Sequence, residues 1–552
     1  METVWDATPS ARTAQDGVEV ASRGGRPQRW PRQTAWLEYD RRRRAIRSGV
    51  HGAIIMTRRA GARIARKSLL AGALIVAFAL LLALGHRAQR PVNPPLAQIQ
   101  ATSEQRFEGM ERWSRGEHED LVILAFSGGG TRAAAFSYGV LETLRDTEVS
   151  TASGRKTRLL DEVDVITGVS GGSFTALGYG LYRDRLFDLF EKSFLQRDVQ
   201  GTLVRRVLNP LNWPALGSAG WGRSELAAQL YDEILFHDAT FADLERAGGP
   251  VIAVGATELT SGARIVFLPQ NFDVMCADLS SFKLSRAAAA SSAVPVVLSP
   301  VTINNYGGTC GYREPMWLRA FAEQKNPPRP AGRILKRLEE LEQLDDASED
   351  RYFHLVDGAV SDNLGLRGVL DFLEAFEALR LAGQPTPLDH VRRIIIFVVN
   401  SASAPSFDWN GKENSPGALS ILVKAAGVPV DRYASESIEL LRDIDARWTA
   451  QRAIRDSAAF DKAKDPAVGW VANAVNADIF AIEVSFRMLA DKKERDYLNQ
   501  LPTSFALPAE AVDRLRAAAT RIILASPDFR EMLKASQGRV VDNLPKASDG
   551  AH

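Results

Sequence analysis

Residues 163–173 read VDVITGVSGGS, in which an apolar, β-rich run leads through Gly168-Val169-Ser170-Gly171-Gly172 into a stretch with helical pattern. A G-x-S-x-G turn between a strand and a helix is typical of a nucleophile elbow, which exposes the serine hydroxyl at the helix N-terminus. Gly168 and Gly172 would let the strand and the helix approach closely. The pattern is short, so an ordinary strand–helix loop is the alternative interpretation of Ser170.

A second glycine-rich turn stands forty residues earlier, in LVILAFSGGGTRAAAFSYGVLETL at 121–144. A strand ends at Phe126, and Gly128, Gly129 and Gly130 open a helix. Consecutive glycines leave backbone N–H groups free to converge on an anion, which in an acyl hydrolase is the tetrahedral oxyanion. A phosphate-binding turn is the alternative, but the GK[ST] ending of a P-loop and the GxGxxG spacing of a dinucleotide site are both missing from this sequence.

The third block is HLVDGAVSDNL at 354–364, a short strand that runs into a glycine turn. An Asp at the end of a strand in a parallel sheet faces the same rim as the elbow, which makes Asp357 the candidate base for Ser170. An Asp-Gly turn without function is the alternative when this block is taken alone. Asp362 and Asn363 suit the N-cap of the following helix, so we leave them out of the catalytic set.

The blocks GGGTR, GVSGG and DGA, in this order on a βα chain, resemble the patatin-like phospholipase family. The stretch AASSAVPVVLSP at 289–300 also resembles the family's A-S-x-A-x-P segment. The resemblance covers about residues 118–400 and implies a lipid acyl hydrolase of phospholipase A or lysophospholipase type. It places the nucleophile on Ser170, the dyad aspartate on Asp357, and the oxyanion hole on Gly128, Gly129 and Gly130 with Arg132 beside them. Ala133 departs from the glycine often seen after that arginine, which puts helix packing at the turn in question.

A Ser-Asp dyad requires Asp357 to accept the Ser170 proton directly, from a partly desolvated carboxylate with a raised pKa. The first alternative is an α/β-hydrolase esterase with a Ser-His-Asp triad, for which His354 or His390 would have to reach the serine. His390 precedes its strand and so lies at the wrong end of it. The second alternative is a catalytically inert, membrane-associated lipid-binding scaffold.

The apolar runs alternate with helical stretches, and runs this apolar suit strands covered on both faces. We therefore predict an α/β fold, a three-layer α/β/α sandwich with a mostly parallel central sheet. The predicted strands are 121–126, 163–166, 251–256, 265–268, 354–356 and 394–399; the predicted helices are 133–145, 173–183, 225–235 and 366–380.

The catalytic domain is predicted at 118–400, with insertions at about 195–223 and 304–350. Residues 401–552 are predicted to be a C-terminal extension packed on that domain, with helices around 434–455 and 510–537 and a strand at 479–486. The segment LNPLNWPALGSAGW at 208–221 suits either an amphipathic lid that meets a lipid surface, with Trp213 and Trp221 at the interface, or packing against the sheet.

The N-terminal part of the chain has the shape of an export or anchoring signal. Residues 1–67, a basic tail predicted to be disordered, hold 15 Lys and Arg against 6 Asp and Glu, and residues 68–85 carry no charge. Eighteen helical residues span roughly 27 Å, close to a bilayer core of about 30 Å, so a signal peptide and a transmembrane anchor both fit. Since the positive flank stays inside, we expect a membrane-associated or exported protein of bacterial inner-membrane or periplasmic type. For residues 68–85, a buried core helix is the alternative. Residues 86–117 are predicted to be a linker. Met56 is a second candidate for the start of the protein.

The remaining features limit cofactors and partners. Cys276 and Cys310 are the two cysteines of the 552 residues, and they fit either a disulfide, worth about 3 kcal/mol, or two buried thiols. The sequence has no HExxH, EF-hand or clustered His/Cys motif, so no metal and no cofactor is predicted. The expected partners are a membrane lipid or phospholipid substrate and the membrane surface. Nucleic acid is not expected, because the basic tail next to an apolar run is better explained by membrane topology. No oligomeric state is predicted.

Overall fold

The computed structural model describes residues 67, 72, 73, 75, 76, 89–99, 119–151, 154–313, 332–381, 383–404, 409, 411, 413–460 and 466–541. The chain divides into two compact units, Met1–Ala83 and Leu84–His552. The predicted basic tail, most of the apolar run at 68–85 and most of the linker lie outside the described residues. Within the part that is described, no helix is both long and apolar enough to cross a membrane.

A sheet of eight strands forms the centre of the second unit. The strands of the protein are β1 Asp120–Phe126, β2 Thr147–Ser150, β3 Lys156–Arg158, β4 Val163–Val169, β5 Val251–Glu258, β6 Arg264–Phe267, β7 Val301–Asn304, β8 Tyr352–Asp357, β9 Arg393–Asn400, β10 Asp478–Ser485 and β11 Arg539–Val540. The order in the large sheet is β10-β9-β1-β4-β5-β8-β7, with β6 paired to β5. Five neighbouring strands, β10, β9, β1, β4 and β5, run parallel to one another. The strands β6, β7 and β8 join the sheet by antiparallel pairing.

Sixteen α-helices surround the two sheets in the described residues. They are α1 Thr131–Arg145, α2 Gly171–Tyr182, α3 Leu186–Phe190, α4 Val199–Leu208, α5 Trp213–Leu216, α6 Arg223–Tyr231, α7 Phe241–Arg246, α8 Pro269–Val274, α9 Leu284–Ser291, α10 Gly332–Asp345, α11 Ala359–Asp362, α12 Arg367–Leu381, α13 Ala418–Arg455, α14 Lys492–Gln500, α15 Ala509–Ala525 and α16 Pro527–Ala535. Short 3-10 or π turns join several of these helices.

The central strands send alternate side chains to two separate cores, as the period of two in a strand requires. In β1, Val122, Leu124 and Phe126 pack with α1, α2, α9 and α15. Leu121 and Ile123 face the other side, where α12 and α13 cover the sheet. Helices therefore lie on both faces of a mostly parallel sheet, and the predicted α/β/α class is confirmed.

Beyond residue 400 the chain completes the sheet and one helical layer. β10 pairs in parallel with β9 along its whole length, from Asp478 opposite Arg393 to Ser485 opposite Asn400. The predicted helix around 434–455 begins earlier, at Ala418, and the predicted helix at 510–537 is two helices that break at Ser526 before Pro527. Proline lacks the N–H that an uninterrupted helix would need there.

The strands that the sequence did not predict are short and antiparallel. β7 pairs with β8, and β2, β3 and β11 form a separate three-stranded sheet. Each has two to four residues, too few to show an apolar run. Cys276 and Cys310 are joined in a disulfide with a Cα–Cα distance of 5.5 Å, which decides between the two alternatives left by the sequence.

Candidate active site

The elbow predicted at Ser170 is a strained turn between β4 and α2. Ser170 has φ 48° and ψ −119°, a region that residues with a side chain seldom occupy. Its neighbours must be glycines: a Cβ on Gly172 would lie 2.7 Å from the Phe126 carbonyl oxygen, and a Cβ on Gly168 would lie 2.8 Å from Ser173 Cα. The close approach of strand and helix that the G-x-S-x-G pattern requires is therefore present.

Asp357 lies next to this serine although 187 residues separate them in the chain. Ser170 Oγ donates to Asp357 Oδ2 over 2.8 Å, and each residue is only 4% exposed. The Ala359 N–H donates to the second carboxylate oxygen, Oδ1, over 2.9 Å. Burial raises the pKa of the Asp357 carboxyl to about 6, against the lowering effect of the hydrogen bonds from Ala359 and Ser170.

The strand that carries Asp357 arrives from the direction opposite to the predicted one. We expected a parallel strand, but β8 is antiparallel to β5, and only its last residues pair, with Asp357 opposite Ala256. Val169, at the end of β4, pairs with Gly255 on the other side of β5. Asp357 is therefore level with the elbow because β8 ends there, and not because parallel strands share a carboxyl edge.

The predicted oxyanion turn lies directly against the elbow. A Cβ on Gly128 would be 3.3 Å from Ser170 Cβ, and a Cβ on Gly171 would overlap the Gly130 carbonyl. Gly129 and Gly130 have φ of 145° and 61°, so the turn needs glycine. In the described part of the chain their N–H groups have no hydrogen-bond partner, whereas the Gly128 N–H donates to the Asn363 carbonyl and side-chain oxygens over 3.0 and 3.2 Å.

Arg132 lies beside the glycine turn, where a Cβ on Gly129 would be 3.3 Å from its Nη2. Its guanidinium is buried, and its three nitrogens donate to Ser401 O, Leu501 O and Thr503 Oγ1 over 2.8, 2.7 and 3.1 Å. Burial lowers the pKa of this guanidinium to about 10. Arg132 therefore ties the glycine turn to two loops that follow β9 and α14. Ala133, which departs from the family pattern, is fully buried within α1.

The model of the patatin-like phospholipase family matches residues 124–370 of this chain. Residues 124–370 form a patatin-like phospholipase domain. The family implies lipid hydrolase activity.

Three solved structures show more distant likeness to the chain. Human GIVD cytosolic phospholipase A2 is 12% identical over 80% of this chain and 68% of that chain, with a TM-score of 0.35. The same human protein in complex with methyl gamma-linolenyl fluorophosphonate is 12% identical over 80% and 66%, with a TM-score of 0.38. The type III effector protein ExoU is 17% identical over 76% and 90%, with a TM-score of 0.18. No curated protein sequence matches the chain.

Ser291 is a site residue of the patatin-like domain that the sequence motifs did not indicate. Its Oγ accepts the Ser170 N–H over 2.9 Å and donates to Gly255 O over 2.6 Å, and its carbonyl accepts the Gly358 N–H over 3.1 Å. Ala293, two residues on, accepts the Asp357 N–H over 3.0 Å. The segment at 289–300 was noticed only as a family block; its serine and alanine hold the elbow and the Asp357 turn together.

Asp362 and Asn363, which follow Asp357 in the patatin-like domain, have different roles. Asp362 accepts from the Leu366 and Arg367 N–H groups over 3.2 and 2.9 Å, the contacts of a residue that caps α12. Asn363, for which we predicted the same role, instead accepts the Gly128 N–H. Asp and Asn both favour helix N-caps, so the residue types alone could not distinguish Asp362 from Asn363. The partner of Asn363 is more than two hundred residues away in the chain.

The two candidate histidines of a triad lie away from the dyad. His354 is exposed, and its Nδ1 lies 3.0 Å from Thr302 Oγ1 on β7. His390 is exposed and precedes β9 by three residues, at the end of the sheet opposite to the elbow. Within the described residues, no group of three His, Cys, Asp or Glu side chains is arranged to hold a metal ion.

Proposed function

We propose that this protein is a serine acyl hydrolase that cleaves fatty-acyl esters of lipids through the dyad Ser170–Asp357. The observation that carries the proposal is the 2.8 Å hydrogen bond from Ser170 Oγ to Asp357 Oδ2, inside a strained and buried elbow. A serine held in this way needs only a base and an oxyanion hole to attack a carbonyl carbon. We propose Asp357 as the base and the glycine turn beside Ser170 as the oxyanion hole.

Asp357 is the proposed base. Because burial raises the pKa of its carboxyl to about 6, the group is mostly ionised at neutral pH and still basic enough to accept a proton. Asp357 Oδ2 takes the Ser170 proton as Oγ bonds to the ester carbonyl, and the protonated acid then gives that proton to the leaving alcohol. In the second step the same carboxylate takes a proton from water, whose oxygen bonds to the acyl carbon; the bond to Ser170 Oγ then breaks, Oγ receives that proton from Asp357, and the fatty acid leaves.

The N–H groups of Gly129 and Gly130 are the proposed oxyanion donors. They lie in the turn that abuts the elbow, and they have no partner in the described part of the protein. The Gly128 N–H is already bound to Asn363, so we assign Gly128 to holding the turn in place. Donors fixed in this way need no rearrangement when negative charge develops on the carbonyl oxygen.

A lipid surface is the proposed source of substrate. In and beside the segment at 208–221, Leu208, Leu211 and Trp213 are 67%, 76% and 38% exposed, whereas Trp221 is buried at 7%. Trp221 therefore packs inside, contrary to one of the two predictions for that residue. Exposed Val296 lies near the C-terminal end of this segment, because Arg223, two residues beyond it, donates to the Val296 carbonyl over 3.0 Å. Exposed apolar side chains of this kind suit contact with lipid, and Val296 is three residues from Ala293, which accepts the Asp357 N–H.

We also propose that the enzyme works at a membrane or after export. The support is the basic flank before an uncharged run of eighteen residues, together with the Cys276–Cys310 disulfide, since disulfides persist mainly in oxidising compartments. Phospholipids and lysophospholipids both suit a site of this kind.

The test uses the purified full chain in mild detergent, mixed membrane-lipid vesicles, and mass spectrometry of the released products. We expect free fatty acid and the matching lysolipid or glycerophosphoalcohol from the native chain, and neither from Ser170→Ala. A fluorophosphonate probe should label the native chain and leave Ser170→Ala unlabelled. Absence of both hydrolysis and labelling would support an inert scaffold, and loss of activity in His354→Ala or His390→Ala would support a histidine triad.

A further inference from the structure

Residues 90–96, which we call the strap, are fixed by hydrogen bonds beside β7, the strand at one edge of the sheet. Asn93 is only 2% exposed. Its side-chain N–H donates to the Asn304 carbonyl over 2.9 Å, and its Oδ1 accepts the Asn304 N–H over 2.8 Å. Farther along the strap, the Leu96 N–H donates to the Cys276 carbonyl over 2.7 Å. The strap is therefore part of the folded domain.

The first residue of the strap, Arg90, also contacts the segment at 208–221. A Cβ on Gly220 would lie 2.5 Å from Arg90 Cδ, and the guanidinium lies 5.2 Å from the centre of the Tyr352 ring. Arg90 comes five residues after the end of the uncharged run at 68–85. Five residues of chain reach at most roughly 17 Å. If a bilayer holds that run, its surface must lie close to Arg90 and Gly220.

The helix α4, which precedes this segment, carries apolar residues on two faces. Val199 and Leu203 are buried in the core shared with α2. Val204 and Leu208 lie one turn apart and are exposed, as is Leu211 in the turn that follows. A helix that faces only water on its outer side carries polar residues there. The outer face of α4 therefore suits a second apolar environment.

The charge of the same region indicates the chemistry of that environment. Residues 195–223 contain four arginines and one aspartate, although the net charge of the whole chain is only +1. Arg205 lies next to exposed Val204 and is itself largely exposed. Exposed apolar residues with arginines beside them are typical of a surface that binds anionic lipid headgroups.

We propose that the exposed apolar residues of α4 and the turn after it, which we call the docking face, lie on the same membrane that holds residues 68–85. The strap sets this geometry, because it fixes the end of a short tether beside the segment at 208–221. The enzyme then takes lipid from its own bilayer, on the side opposite to the basic flank. The inference rests on the proposed action on lipids and on the anchor alternative for residues 68–85.

The experiment measures docking in the full chain with Ser170→Ala, so that it gives a result whether or not the proposed hydrolysis occurs. Leu211→Cys carries a fluorescent label, and the two native cysteines do not react because they form a disulfide. Ile454→Cys is the matched control, since Ile454 is also an exposed apolar residue. It lies near β10, at the opposite edge of the sheet, where Arg452 donates to the Ala477 carbonyl.

Each labelled protein is reconstituted in vesicles of phosphatidylethanolamine and phosphatidylglycerol whose acyl chains carry bromine, which quenches the label on contact. We expect the label at residue 211 to lose at least about half of its fluorescence and the label at residue 454 less than about a tenth. Equal quenching at the two positions would overturn the docking face. A protein from native membranes whose mass shows that residues 68–85 have been removed would overturn the tether.

A second arrangement tests whether the membrane is the protein's own. Bromine is then present only in added vesicles that contain no protein, and we expect no quenching at residue 211. Quenching as strong as in the first arrangement would show docking on a second membrane and would refute the proposal.

Variants of the strap test its role. In Arg90→Ala/Asn93→Ala the first fixed residue becomes Pro94, whose carbonyl accepts the Asp278 N–H over 3.0 Å, and the tether lengthens to roughly 31 Å. Quenching at residue 211 should fall at least about twofold, whereas Val92→Ala, at an exposed position of the same strap, should keep it. Unchanged quenching in the double variant would refute the role of the strap. The comparison of the two labels uses neither variant, so it tests the docking face even where the double variant fails to fold.

Discussion

The substitution Asp357→Asn should make the protein inactive and, at neutral pH, more stable. Burial raises the pKa of this carboxyl from 3.8 to about 6, so the folded state resists ionising a group that the unfolded state ionises freely. The resulting penalty is absent below pH 3.8, grows between about pH 4 and pH 6, and is fully present above that range. A shift of about two units corresponds to about 3 kcal/mol at 1.36 kcal/mol per unit.

Asparagine cannot ionise, and its side-chain oxygen can still accept the Ala359 N–H that now bonds to Asp357 Oδ1. We therefore expect the variant to gain about 1 to 3 kcal/mol at pH 7.5 and almost nothing at pH 4, allowing some cost for fitting the amide beside Ser170. In the same variant, ester hydrolysis should fall by about a thousandfold, because no base remains to take the serine proton.

Thermal unfolding by circular dichroism at pH 4 and pH 7.5, with the disulfide intact, measures the first effect, and fatty-acid release measures the second. Ser170→Ala is the control, since it removes activity but keeps the buried carboxylate; it should show no comparable gain at pH 7.5. A variant that is destabilised at pH 7.5, or that gains equally at both pH values, would refute the view that burial destabilises the ionised form of Asp357.

Three further predictions follow from the same contacts. The kcat/KM of the native enzyme should rise with pH to a plateau, because only ionised Asp357 accepts the proton. We expect a midpoint near pH 6 and a tenfold loss at pH 5. A flat profile from pH 5 to 8 would contradict this. Ser291→Ala should lower kcat about ten- to a hundredfold with little change in KM, since the Ser170 N–H loses its acceptor. Ser292→Ala should retain activity, because the Ser292 Oγ donates to Ala288 O and makes no contact with the Ser170 N–H. Replacing Cys276 and Cys310 by serine should cost about 3 to 4 kcal/mol of stability, measured by urea unfolding, and leave kcat of the folded enzyme unchanged.

The sequence predicted the parallel core of the fold because each of its strands is an apolar run covered on both faces. Residues 121–126 and 394–399 were placed within one residue of the observed β1 and β9. The direction of β8 could not be obtained in this way, since a run of six residues has the same pattern in either orientation. β7 pairs antiparallel with β8, and the two strands join the edge of the sheet together.

Within the site, the sequence could name the groups but not their partners. Gly128, Gly129 and Gly130 are equivalent in the sequence, yet the Gly128 N–H is bound by Asn363, 235 residues away. Arg132 follows the glycine turn in the sequence, but no motif indicated that its guanidinium donates to the Ser401 and Leu501 carbonyls. Such assignments depend on contacts between distant segments, which short motifs do not contain.

The contacts of Asp357 also support the proposed dyad, in which two residues would do the work that three do in other serine hydrolases. In a triad, the aspartate fixes the orientation of the histidine so that a single lone pair faces the serine. Here the Ala359 N–H occupies Asp357 Oδ1, and the Ala293 carbonyl holds the Asp357 backbone, so Oδ2 is the oxygen that faces Ser170. Ser291 fixes the serine side through the Ser170 N–H. Main-chain hydrogen bonds therefore orient the carboxylate that we propose as the base, and burial would supply the basicity that a carboxylate in water lacks.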